Sequence, residues 1–328
     1  MIDILNLQPT TISRDLKGKY VLIYSLPKMG KTTLACAFPK NLLLAFERGY
    51  NNISGAKAID VTKWADFKLI LRQLEKPEAK AMYDTITIDT VSIAWDLCEQ
   101  FICSQNGVQN IGDIPWGQGY SQLTKEFENC LRKITMLGYG LVLIAHVAIR
   151  KEVVDGNELE FYSPALNKRC YPVCNRIVDI IGYINQEWDE EGNGHRYLYT
   201  RQTPRVIAGS RYKYLAPKID FGYQQLVDAI GEAIDKQEKL DGAKIVDKQE
   251  IKQTEELNYN SIKQEAADLW QKMVGDGQTE KQQEMAKRIL KRVEMIFGRP
   301  IKLSEITEDQ VDLFNLVILE MKELFSQQ

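Results

Sequence analysis

The residues of this chain best suited to chemistry are Gly30-Lys31-Thr32-Thr33, the end of the segment Ser25-Leu-Pro-Lys-Met-Gly-Lys-Thr-Thr. A hydrophobic run, Lys19–Ser25, precedes them, and a helical stretch from Lys31 follows until Pro39 stops it. Between a strand and a helix, such a loop cradles β- and γ-phosphates with its backbone N–H groups and the positive end of the helix dipole. The spacing therefore assigns Ser25, Pro27, Lys28, Met29, Gly30, Lys31, Thr32 and Thr33 to a nucleotide cradle. Lys31 supplies the cation and the Thr32 hydroxyl a Mg²⁺ ligand. Ser25 stands where G-x-x-x-x-G-K-[ST] opens on glycine, and its side chain is small enough for the turn. The competing reading, an accidental Gly-Lys-Thr at a helix start, has to be weighed against a second motif.

That motif is Thr85–Asp89 (TITID), an apolar strand ending in a carboxylate, where Asp89 can hold Mg²⁺ through water. Hydrolysis further requires a base for water and a cation for the leaving oxygens. Glu47 directly follows the apolar run Asn41–Phe46 and is the candidate base, on the expectation that this strand neighbours the phosphate-loop strand. A capping glutamate in water is the alternative. His146 closes the run Gly140–Ala145 and is placed to sense a γ-phosphate; a satisfied core histidine is its plain reading. Arg201, Arg205, Arg211 and Lys213 crowd thirteen residues, with Arg205 and Arg211 preferred as cations reaching a neighbouring subunit's nucleotide. A solvated basic hairpin explains them equally. His195, in an acidic glycine-rich turn, reads as surface.

The elements that must position these groups alternate. Apolar runs at 19–25, 41–46, 85–89, 140–145, 177–184 and 196–201 read as strands, and periodic segments at 64–74, 92–103, 123–137 and 223–234 as helices. The alternation indicates an α/β fold with a mainly parallel sheet over residues 1–235. Residues 236–257 are polar with little periodicity and read as a linker. Beyond it, 258–328 forms a helical region with segments near 259–274, 280–297 and 307–325, the last preceded by capping signals at Ser304 and Thr307. Its apolar stripe suits a small bundle that docks a partner or a second copy.

The totals narrow the class. Of 328 residues, 44% are hydrophobic and 27% charged, and 42 basic residues against 45 acidic leave a net charge of −3, so nucleic acid must be met by a local surface. The longest apolar stretch, 137–149, falls short of the ~20 residues a membrane helix needs. Six cysteines in a chain this long suit a reducing, cytoplasmic setting with free thiols; Cys170 and Cys174 match no standard zinc spacing. Trp116, in a glycine-rich loop, is expected to pack into the core.

Taken in order, SLPKMGKTTLACAFPK, LLLAFERG, TITIDTVS, LVLIAH and RVIAGSRYK resemble the phage-type AAA/RecA-like nucleotide-binding proteins across about residues 10–230. These are RecA-core ATPases of phages and prophages associated with recombination and single-strand annealing. The resemblance implies ATP with Mg²⁺ as ligands, Glu47 as the catalytic glutamate and His146 as the γ-phosphate sensor. It also implies action on single-stranded DNA, assembly into a homo-oligomer, and residence in a bacterial host's cytoplasm. A single-strand-binding or annealing protein is the expected partner of the terminal helices. In such proteins the region after the sensor strand contains a DNA-binding loop; here 147–172 carries Arg150, Lys151, Lys168 and Arg169 with Phe161, Tyr162 and Tyr171 interleaved. Glu152, Asp155, Glu158 and Glu160 share the segment, and a plain packed hairpin is the alternative. Two rival functions stay open, a P-loop small-molecule kinase and a non-catalytic module whose nucleotide stabilises an interaction surface.

Overall fold

Residues 12–13, 19–154, 157–246 and 258–326 are described by a computed structural model. Contacts divide the chain into two units, Met1–Gln253 and Thr254–Gln328.

In the first unit, β1 (Ile12–Ser13) and β2 (Tyr20–Ser25) precede α1 (Lys31–Cys36), β3 (Asn41–Ala45) and β4 (Ala58–Asp60). Then follow α2 (Trp64–Leu74), α3 (Pro77–Met82), β5 (Thr85–Asp89), α4 (Val91–Gln105) and α5 (Gln118–Met136). A long β6 (Gly140–Val154) forms a hairpin with β7 (Asn157–Pro164), and α6 (Cys170–Ile177) leads into β8 (Ile180–Trp188). The unit closes with β9 (Gly194–Tyr199), β10 (Gly209–Ser210), β11 (Lys218–Asp220), α7 (Tyr223–Asp241) and β12 (Ile245–Val246), which pairs with β1.

The main sheet runs β11-β9-β8-β2-β6-β5-β3-β4. From β8 to β4 all pairings are parallel, while β9, β10 and β11 add an antiparallel edge. The central strands are apolar on both faces because both faces are covered. In β2, Leu22 and Tyr24 join one core, and Val21 and Ile23 the other. Leu141, Leu143 and Ala145 of β6 repeat the first pattern, Val142 and Ile144 the second. The first core is roofed by α2, α4, α5 and α6 through residues such as Trp64, Trp95, Phe127 and Val173. The second is closed by α1 and α7 through Leu34, Leu226 and Ile230. This is an α/β P-loop NTPase fold with helices following at the C-terminal end.

Several expectations need correction. The strand carrying Glu47 does not neighbour the phosphate-loop strand, since β6 and β5 lie between β2 and β3. His146 does not end its strand; β6 continues eight residues further, to Val154, because β7 supplies hydrogen-bond partners from Val147↔Pro164 to Val154↔Asn157. The stretch from 147 is therefore a hairpin followed by a helix, the packed-hairpin alternative of the two that the sequence left open. Trp116 is 94% exposed at φ 60°, outside the core, while Ile111 and Ile114 just before it are the residues that enter the apolar layer. The helix α7 runs to Asp241, six residues into the expected linker, while 247–257 lies outside the described residues.

The second unit packs α8 (Tyr259–Met273), α9 (Glu280–Phe297) and α10 (Val311–Ser326) around one apolar core. Phe314, Val317, Ile318, Met321 and Leu324 meet Ile289 and Val293 there, as their helical spacing requires. Thr307 caps the turn before α10 reciprocally with Gln310. Among the described residues no helix is long and apolar enough to cross a membrane.

Candidate nucleotide site

Parallel strands all end at the same edge, and the chemistry-bearing residues collect there. Ser25 closes β2 and pairs in register with His146 on β6. Asp89 closes β5 opposite Ile144, and Ala45 of β3 stands opposite Asp89, which leaves Glu47 just past the same edge. The backbone N–H groups of Phe46 and Glu47 both donate to the Asp89 carbonyl, at 2.7 and 3.0 Å, and hold the segment after β3 against the end of β5.

Lys31 is buried, and its ammonium donates to the Ser25 carbonyl (3.3 Å), the Ser25 Oγ (3.2 Å) and the Leu26 carbonyl (3.0 Å). The Ser25 hydroxyl in turn donates to the Leu26 carbonyl at 2.8 Å. The departure from glycine thus has a use: its oxygen is one of the three that hold the lysine. Burial pushes the Lys31 ammonium below its ordinary pKa, against the attraction of Asp89 and Glu47. The loop turns through left-handed conformations at Lys28 (φ 66°) and Gly30 (φ 93°). With α1 only six residues long, the loop's own N–H groups, more than a helix dipole, must form the anion cradle.

Thr32 Oγ1 donates to Asp89 Oδ2 at 2.7 Å. A hydroxyl and a carboxylate side by side are the hard oxygen donors Mg²⁺ takes, with nucleotide oxygens and water completing six ligands. Burial raises the Asp89 carboxyl above the usual aspartate range, with Glu47 adding to the rise and the Thr32 hydrogen bond, Lys31 and His146 opposing it. Glu47 Oε2 lies 3.0 Å from His146 Nε2, both side chains partly open to solvent. The predicted base and the predicted sensor are therefore one hydrogen-bonded pair, joined across the edge over the end of β5.

The remaining candidates lie elsewhere. Arg211 donates to Asp179 Oδ1 (3.0 Å) and to the Arg176 carbonyl (2.6 Å). Asp179 precedes β8 and pairs with the backbone of Tyr20, at the edge of the sheet opposite the phosphate loop. Arg205 has an exposed side chain, and its carbonyl accepts from the Tyr162 N–H at 2.7 Å. On the β6–β7 hairpin Arg150 is exposed, and Lys151 pairs with Glu158 at 3.2 Å. Lys168 is exposed beside Arg169, whose guanidinium stacks over the Tyr120 ring at 4.5 Å. Cys170 and Cys174 face each other within the core, Sγ to Sγ 3.9 Å. His195 sits at the surface against Asp189. Sequence reasoning missed Arg196, which reaches the phosphate loop from β9; a lone arginine in a strand carries no motif to find it by.

An AAA domain family model matches residues 17–212. The chain is 29% identical, over 99% of its own length and 99% of the relative's, to the SPbeta prophage-derived uncharacterized protein YorG of Bacillus subtilis strain 168. A phosphate loop, a Thr32–Asp89 pair at the carboxyl edge of a parallel sheet, and a family match spanning the whole of that sheet's parallel part lead to one conclusion: the chain belongs to the AAA domain family of P-loop proteins.

Proposed function

We propose that this protein is a Mg²⁺-dependent ATPase of RecA-like type that acts on single-stranded DNA in phage recombination or replication. The observation that carries the ATPase reading is the convergence of Lys31, Thr32, Asp89, Glu47 and His146 on one sheet edge. Mg²⁺, held by Thr32 directly and Asp89 through water, would neutralise charge on the β- and γ-phosphates. Lys31 leaves its three oxygen partners for those phosphates. Glu47 accepts the proton of a water as its oxygen attacks the γ-phosphorus, the bond to the β-phosphate oxygen breaks, and ADP and phosphate leave. His146, hydrogen-bonded to Glu47, orients that carboxylate and links it to β6, whose continuation is the hairpin.

The DNA reading rests on the family resemblance, on the prophage origin of the relative, and on the exposed cations Arg150, Lys151, Lys168 and Arg169, the first two on the strand that also exposes Ile149 and Val153. Arg205 is the better placed of the two trans-cation candidates, because Arg211 is tied to Asp179. A homo-oligomer follows from that role, and the terminal helices supply a surface for a single-strand-binding or annealing protein.

Steady-state ATP hydrolysis by the full chain, with and without single-stranded DNA, tests the proposal. The parent should be stimulated by DNA, and Lys31→Ala and Glu47→Gln should each lose at least about 100-fold in kcat. Hydrolysis indifferent to DNA removes the DNA role; bound nucleotide without hydrolysis removes the enzyme.

A further inference from the structure

Arg196 on β9 projects over the phosphate loop of its own chain. Its Nη1 donates to the Met29 carbonyl at 3.2 Å. A Cβ placed on Gly30 would stand 2.8 Å from that nitrogen and 3.0 Å from Cζ of Phe221, so the guanidinium and the ring roof the loop at its tightest turn. The guanidinium stacks on the Phe221 ring at 4.5 Å. Phe221 is itself tied to β9, its N–H donating to the Arg196 carbonyl at 3.0 Å. Among the described residues no carboxylate lies within ion-pair distance of Arg196.

This arrangement is incomplete on its own terms. A guanidinium carries five N–H donors in a planar fork suited to phosphate oxygens, and here one carbonyl takes a single one. Lys28 and Lys31 already concentrate positive charge in the same loop. A third cation held beside them by an aromatic platform, rather than by an acid, answers to a polyanion that arrives from outside. Resting on the phosphate-loop reading above, we propose that Arg196 is an in-chain nucleotide-binding residue: it rests on Met29 and turns onto the phosphate chain of bound nucleotide, pivoting on Phe221. The roof also gives Gly30 a second reason to be glycine besides its positive φ, since any side chain there meets Arg196 and Phe221.

Calorimetric titration of the full chain with a non-hydrolysable ATP analogue and Mg²⁺ tests this. Arg196→Ala and Arg196→Gln should each weaken binding about 10- to 100-fold, the range of a charge-assisted contact. Arg196→Lys, which keeps the charge and loses the fork, should recover several-fold of that loss. Binding by Arg196→Ala within about twofold of the parent overturns the proposal. So does a Gln variant that binds like the parent, because it means that the charge of Arg196 does not matter. Lys31→Ala is run alongside: if the parent binds nothing, or if Lys31→Ala binds as the parent does, the phosphate-loop reading itself fails. Arg196 is exposed and outside both cores, so an unchanged thermal midpoint separates lost binding from lost folding.

Discussion

At the scale of single residues, the nucleotide edge holds groups in states that burial opposes. Asp89 is the clearest case: buried, 2.7 Å from the Thr32 hydroxyl, and with a carboxyl raised chiefly by desolvation. A group whose folded pKa is raised favours the protonated form in the native state. Its contribution to stability is therefore full below the unfolded value and is lost as pH rises through the folded one. At neutral pH, well above the ordinary aspartate value, this raised carboxyl is a cost to the metal-free chain. Asp89→Asn should then raise the thermal midpoint of the nucleotide-free protein at neutral pH, while removing the extra stabilisation that Mg²⁺ gives in the presence of ATP. Differential scanning fluorimetry with ATP, with and without Mg²⁺, reads both; a lowered midpoint contradicts the argument. Ser25 belongs to the same scale. Its type was legible as a departure from pattern, but its hydrogen bond to Lys31 depends on where the lysine folds back, which spacing does not specify.

At the scale of elements, legibility followed burial. Strands β2, β3 and β5 read correctly as runs because residues apolar on both faces have no other place to go. The hairpin β6–β7 was legible only as one of two alternatives, because half-exposed strands carrying Glu, Lys and Arg look like a polar connection until their partner is known. Two of the tryptophans, Trp64 and Trp116, make the contrast testable. Trp64 is buried, donates to Glu126 at 3.0 Å and lies against Phe67 and Phe127, with ring centroids at 4.9 and 5.7 Å. Trp64→Ala should cost about 3–5 kcal/mol in urea unfolding. Trp116→Gly should cost nothing and can gain up to about 1 kcal/mol, because the ring is exposed and glycine accepts the positive φ without strain. A destabilised Trp116→Gly variant means that the ring packs against something after all.

At the scale of the whole molecule, the described residues form three apolar clusters, two on the faces of the main sheet and one within the terminal helices, and no buried residue is shared between the third and the others. Each unit has its own core, so residues 1–253 expressed alone should bind nucleotide within about threefold of the full chain. Calorimetry on the truncated protein checks this, and loss of binding shows that the terminal unit supports the site.

The chain's linear pattern by itself determined the phosphate loop, the placement of Thr32 at a helix start and of Asp89 at a strand end, the strands that carry them, and the division into an α/β core and a helical end. These are local: a strand, a turn and a helix start are set by neighbours in sequence, and a strand ending in a carboxylate can be read without knowing what lies beside it. Only the tertiary structure decided that β6 and β5 separate β3 from β2, that Glu47 and His146 meet across the end of β5, and that Arg211 is held at the far edge. It alone brought Arg196 over Gly30, 166 residues away in the chain. Strand order is set by how helices pack on both faces of a sheet, and no short stretch of sequence encodes that choice.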